Sequence, residues 1–200
     1  RRCTRLPMWK CSSSLIWSTQ KFYIMNYCFF WGGIYSNWNK STIKINSIVL
    51  KDSLRIELNS LGREFNCAEQ AMMFFKALLF EDYESCEKII KSKNPREQKK
   101  LGREVKNFKP EIWDLAKFEI VKNINFHKFN QNESLKKQLL EEDCDLFVEA
   151  SPFDRIWGIG YSEEDALNFK YNWGENLLGK ALTEIRNEFL SSSINYVLDA

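Results

Sequence analysis

The apolar repeat of this chain changes once, near Phe65, from a spacing of two residues to one near 3.6. That single change constrains the architecture more than any other feature of the sequence. Before it, residues 44–50 and 54–58 alternate polar and apolar side chains around Lys51-Asp52-Ser53, the pattern of two strands and a turn. Residues 27–31 form an aromatic, apolar run closed by Gly32-Gly33. The stretch 27–64 therefore predicts a small, twisted antiparallel unit.

After Phe65 the pattern is helical. Asn66 is a candidate N-cap with Glu69 at the capping-box position, opening a helix over 68–80. Further helices are expected over 84–91, over 95–105 with Pro95 in the first turn, and over 133–141. Another starts at Pro110, with Ile112, Leu115, Ile120 and Ile124 as its apolar stripe, and an amphipathic helix covers 176–190. Short strands at 146–149 and 156–159 flank Ala150-Ser151-Pro152-Phe153-Asp154-Arg155. With no repeats and no linker, residues 27–190 read as one α+β domain, predominantly helical, with a small antiparallel β unit. Residues 1–26 mix Arg, Ser and Trp without a period and read as an N-terminal extension outside the domain. Residues 191–200 read as a C-terminal tail.

Composition excludes several classes. A 44% hydrophobic and 28% charged chain is neither disordered nor fibrous, and a net charge of +2 gives no general excess of cations for a nucleic-acid backbone. The lone His127 excludes a multi-histidine metal site. Six cysteines with no C-x-x-C pair fit no zinc motif and read as reduced, mostly buried thiols of a cytoplasmic protein. No run of 18 apolar residues is present, so no bilayer span is expected. Seven Trp, seven Tyr and fifteen Phe supply flat apolar surface for a core or for a slot that takes a planar ligand.

Two glycine patterns are decoys. Gly174-Glu175-Asn176-Leu177-Leu178-Gly179-Lys180-Ala181 approaches a phosphate loop, but Ala181 lacks the hydroxyl and two leucines occupy the cradle. Gly158-Ile159-Gly160 lacks the third glycine and the following helix of a dinucleotide fingerprint. More informative is the helix over 68–80, where Glu69 and Lys76, two turns apart, share a face with Met72, Met73 and Phe75. Buried unpaired charges are costly, so either these two reach solvent, as a helix cap and a surface ion pair, or they line a cavity. Asp154 sits in a turn before Trp157, as an Asx-turn residue or as a functional carboxylate.

Several segments align in order with one family. They are Phe29-Phe30-Trp31-Gly32-Gly33, Ser36-Asn37-Trp38, Glu64-Phe65-Asn66-Cys67-Ala68-Glu69-Gln70-Ala71-Met72-Met73, Lys76-Ala77 and Asn94-Pro95-Arg96-Glu97-Gln98. Lys99-Lys100-Leu101-Gly102-Arg103, Trp113, Val148-Glu149-Ala150-Ser151-Pro152-Phe153-Asp154-Arg155-Ile156-Trp157-Gly158-Ile159-Gly160 and Asn176-Leu177-Leu178-Gly179-Lys180-Ala181-Leu182 follow, ending at Arg186. On these the chain resembles the NADAR (NAD and ADP-ribose associated) domain, the YbiA-like family of N-glycosidases. It departs from the family at Ile34-Tyr35, where many relatives carry proline and then an apolar residue.

The resemblance implies hydrolysis of a ribose–nitrogen bond, with no cofactor and no metal. The implied partner is a small phosphorylated ribosyl molecule: a ribosylaminopyrimidine phosphate of riboflavin biosynthesis, or ADP-ribose carried on guanine in nucleic acid. No membrane partner is implied. It places catalytic roles on Glu69, Asp154, Trp113 and Trp157, and substrate-binding roles on Asn37, Lys76, Arg103 and Asn176. Such a reaction develops positive charge on the sugar and needs one carboxylate beside it and a second acid or base for water or the leaving nitrogen. The competing expectation is a non-catalytic module that binds ADP-ribose or a related nucleotide.

Overall fold

A computed structural model describes residues 25–198. The N-terminal extension expected over 1–26, along with Cys3 and Cys11, lies almost wholly outside the described residues.

The alternation before Phe65 builds an antiparallel hairpin of β2 (Lys40–Leu50) and β3 (Ile56–Cys67). Ile43 and Ile45, and beyond the register shift Ile48 and Leu50, are fully buried; the period of two holds within each pair, and the shift moves the buried face from odd to even positions. The register shifts between Lys40 and Ile43 and again between Ile45 and Ser47, and Gly62 sits at φ 71°. The strands are longer than the sequence predicts because they continue through the polar residues of the solvent face.

The first strand departs from expectation. β1 (Tyr27–Phe30) does not join the hairpin; it pairs in parallel with β4 (Leu146–Glu149), with Phe30 opposite Glu149. This pairing also sets Cys28 beside Cys144, and the two form a disulfide with Cα atoms 5.7 Å apart, inside the usual span. The expectation of reduced thiols is corrected for that pair, and with it goes the cysteine argument for a reducing compartment. Cys67 and Cys86 are free and buried, as expected.

The helices are α1 (Ala68–Leu79), α2 (Tyr83–Lys91), α3 (Pro95–Arg103), α4 (Pro110–Gln131), α5 (Glu133–Glu141), the short α6 (Glu163–Ala166) and α7 (Leu177–Leu198). The sequence places α1 to α5 closely, and prolines open α3 and α4. Asp82 and Asn94 accept the backbone N–H of Ser85 and Arg96 at the starts of α2 and α3. α7 continues eight residues past the expected end at 190. Leu115, expected on the apolar stripe of α4, is exposed, while Ile120 and Ile124 are buried.

α4 is the spine of the domain. Its Glu119 accepts N–H bonds from Lys51, Asp52 and Ser53 at the hairpin turn. Gln131 accepts from Lys44 N–H and donates to the Lys44 carbonyl. Among the described residues no helix is long and apolar enough to cross a membrane.

Candidate active site

α1 starts directly from the end of β3, so its first turn opens where hairpin and helices meet. Cys67, rather than Asn66, is its N-cap residue, and no side chain caps the helix. Asn66 N–H is instead taken by Gln70 Oε1 at 2.7 Å. Glu69 is thereby free of the capping role the sequence allowed it. Its N–H donates to the Asn37 carbonyl at 2.8 Å, and its side chain is 3% exposed. Oε1 lies out of solvent with no hydrogen-bond partner among the described residues.

That orphaned oxygen faces a cleft of about 1170 Å³. One wall is α1, with Glu69, Met72, Met73 and Lys76. A second is α3, supplying Lys99 and Arg103, with Trp113 from α4 beside it. The third is the segment after β4, with Glu149, Ser151, Phe153, Asp154 and Trp157, and Trp31 and Trp38 close the remaining side. Gly102 brings the first two walls together, since a Cβ there would stand 1.8 Å from Met73 Sδ.

The third wall is irregular chain, not the strand expected over 156–159. Asp154 Oδ1 accepts the N–H of Ile156 at 2.9 Å and of Trp157 at 2.8 Å, which winds the backbone into a turn. Asp154 is therefore an Asx-turn residue and a cleft residue at once. Gly158 packs against the Glu149 carbonyl, where a Cβ would approach to 2.7 Å. Arg155 turns along the surface to the Asn172 carbonyl and over the Tyr161 ring.

Seven of the eight site residues read from the sequence line this one cleft: Glu69, Asp154, Trp113, Trp157, Asn37, Lys76 and Arg103. Lys76 Nζ donates to the Gly102 carbonyl at 2.7 Å and sits over the rings of Phe108 and Trp113, and burial pulls its pKa down. The structure does not bring Asn176 to the cleft. Its amide is used behind β4, accepting from Glu149 N–H and donating to the Phe147 carbonyl, with the backbone at φ 52°.

The sequence reading missed Glu149, Lys99 and Trp38. Burial drives the Glu69 carboxyl up to about 7; Asp154 adds to the rise, while Lys99, the Trp38 indole and Arg103 oppose it. Glu149 is also pushed up to about 7, by burial and then by the charges of Asp154 and Glu69, with Lys99 opposing. The signal for Glu149 was its place at the end of a short apolar strand immediately before the Asp154 turn. Two carboxyls that resist ionisation beside a third are suited to proton transfer at neutral pH. Among the described residues no group of three His, Cys, Asp or Glu is arranged to hold a metal ion.

The family model for the NADAR domain matches residues 29–190 of the chain. N-glycosidase R617 of Acanthamoeba polyphaga mimivirus is 46% identical over 167 residues, which cover 81% of this chain and 95% of that protein. The riboflavin biosynthesis protein PYRR of Arabidopsis thaliana chloroplasts is 34% identical over 115 residues, 56% of this chain and 18% of that one. The NMR structure of the E. coli protein YbiA superimposes with a TM-score of 0.64 at 21% identity, covering 88% of this chain and 92% of that chain. The YbiA likeness bears on the fold alone, which it shares as an α+β arrangement.

Proposed function

Because this chain belongs to the NADAR domain family, we propose that its cleft hydrolyses the bond between a ribose and a nitrogen, with Glu69 and Asp154 as working carboxylates. As an N-glycosidase, a hydrolase acting on N-glycosyl compounds, it is of the same class as the 46% identical mimivirus relative. The observation that carries the reading is the solvent-shielded Glu69 carboxyl with an unsatisfied oxygen, facing Asp154 across a cleft walled by indoles. A group of that kind costs stability and is retained where it meets a substrate.

The chemistry follows from the surroundings. As the C1′–N bond lengthens, positive charge on the sugar is stabilised by a carboxylate held in a site with little water. Trp113 and Trp157 offer flat faces to the leaving group, and Arg103 with Lys76 supplies cationic donors for phosphate. Asn37, held from behind by the amide of Asn125 at 3.0 Å, orients the sugar. Asn176 acts through Glu149 and β4 rather than on substrate. Neighbouring carboxylates would repel a phosphorylated ligand, so their presence speaks for turnover over mere binding.

The substrate is a phosphorylated ribosyl compound, with two candidates: a ribosylaminopyrimidine phosphate of riboflavin biosynthesis and ADP-ribosylated guanine. The chemistry of a riboflavin pathway is attached by name to the Arabidopsis relative. Incubating the purified protein with each and separating the products by chromatography tests the reading. Release of ribose phosphate and free aminopyrimidine, or of ADP-ribose from guanine, is the expected result. Failure to cleave both would overturn it.

A further inference from the structure

We propose that Glu149 is a further catalytic residue of this site, the acid that gives its proton to the departing nitrogen, an assignment resting on the hydrolytic reading above. Its position is held from every side. β1 pairs with β4 so that Phe30 stands opposite Glu149, whose N–H donates to Asn176 Oδ1 at 3.0 Å and whose carbonyl accepts from Ile159 N–H at 2.9 Å. Gly158 lies against the same carbonyl. From this clamped backbone the side chain lines the cleft.

The carboxyl there keeps an oxygen, Glu149 Oε2, that is shielded from solvent and without a hydrogen-bond partner among the described residues. A carboxylate kept for structure would be bonded, as nearly all buried polar atoms are. The charged and titratable groups facing it are Glu69 from α1, Asp154 from the turn after β4 and Lys99 from α3: two negative charges against one positive. Glu69 shares Asp154 and Lys99 with it, but has the Trp38 indole and Arg103 in addition on the side of its anion. Of the two glutamic acids, Glu69 is the better carboxylate and Glu149 the better proton carrier. Burial is the largest cause for both and pushes each up to about 7, so both groups can carry a proton into the neutral range.

In the step, the C1′–N bond breaks with its electron pair going to nitrogen, which takes the Glu149 proton and leaves as a neutral amine or base. Water bonds to C1′, and the proton it loses passes to the Glu149 carboxylate, which restores the starting state. Products are the free sugar and the neutral amine or base, with no reactant other than water needed.

The test is Glu149→Gln, isosteric and without a transferable proton. Cleavage is followed by product chromatography from pH 5 to 9, alongside thermal melting and binding of ribose 5-phosphate. Wild-type kcat should fall as pH rises through the neutral range, because the proton is lost. The variant should lose ~10²–10³-fold in kcat, with that alkaline limb gone and with melting and ribose 5-phosphate affinity retained. Near-normal kcat with the limb intact would overturn the assignment alone, as would a loss matched by equal loss of ribose 5-phosphate binding. Absence of wild-type cleavage would instead sink the functional reading, and this assignment with it.

Discussion

Two buried ionisable groups lie on either side of the segment 34–37, and they are opposites. Lys128 of α4 is fully buried, and its ammonium donates to the carbonyls of Ile34 at 2.7 Å and Ser36 at 2.9 Å. Glu69 of α1 is nearly as deep but keeps Oε1 without a partner among the described residues. Burial shifts both toward their neutral forms, Lys128 down to about 7 and Glu69 up to about 7. The difference is in what the polar atoms do. Lys128 spends its donors on the backbone that carries Asn37, whose carbonyl receives Glu69 N–H, and so it builds the wall. Glu69 leaves an acceptor for a ligand. Depth and pKa do not separate these two groups; the unspent acceptor of Glu69, on a residue that lines the cleft, does.

The largest effect should come from Glu69→Gln. It should lower kcat by ~10³-fold or more while the fold, read by circular dichroism, and ligand affinity stay close to wild type. Near-normal turnover would remove Glu69 from the mechanism and dissolve the contrast.

Next is Lys128→Met, which keeps the volume and strips two carbonyls of their donor. Leaving them unsatisfied should cost about 2–4 kcal/mol in denaturant unfolding, an effect Glu69→Gln should not share. Equal stability of the Lys128→Met protein and wild type would show that the buried amine is not holding the wall.

Trp157→Ala probes the cleft side of the comparison more gently. Affinity for a substrate with a flat leaving group should drop about tenfold, with ribose 5-phosphate binding unchanged. Parallel losses for both ligands would mean that the indole shapes the whole cleft instead of facing the base.

The smallest effect is in the pH dependence of melting, where the two groups should pull in opposite senses. Glu69 rises from 4.5 to about 7 on folding, so the native state binds more protons than the unfolded chain, and stability falls as pH rises through that window. Lys128 drops from 10.5 to about 7, so the native state binds fewer protons and stability recovers between those values. Glu69→Gln should flatten the first slope and Lys128→Met the second, each by about a few degrees in Tm. Variants that change neither slope would show that the two groups ionise in the fold as they do in water.

The helical half was legible because its signals are local. Pro95, Pro110 and the Asn94 cap mark their own helices, and the alternation of β2 needs only its own residues. The strand expected over 156–159 failed for a local reason as well: Asp154 Oδ1 captures the N–H groups of Ile156 and Trp157, which a ladder would otherwise need. The capping role weighed for Glu69 disappeared because β3 runs straight into α1, so that Asn37 supplies the carbonyl its N–H requires. Asn176 was assigned to substrate on its motif alone, and nothing in a motif tells a side chain facing the ligand from one bracing the strand behind it.

By itself, then, the amino-acid order determined the class of fold, the described helices other than the short α6 and, through resemblance to one family, Glu69 and Asp154 as the acids to watch. Tertiary structure alone decided that β1 leaves the hairpin to pair with β4, that Cys28 meets Cys144, that Glu149 joins the other two acids, and that Lys128 is buried against the Ile34 and Ser36 carbonyls. The physical reason is range. Periodicity and caps are written within a few residues, whereas solvent exclusion and charge–charge coupling depend on which distant segments pack together, and it is those that turn a glutamate into an acid.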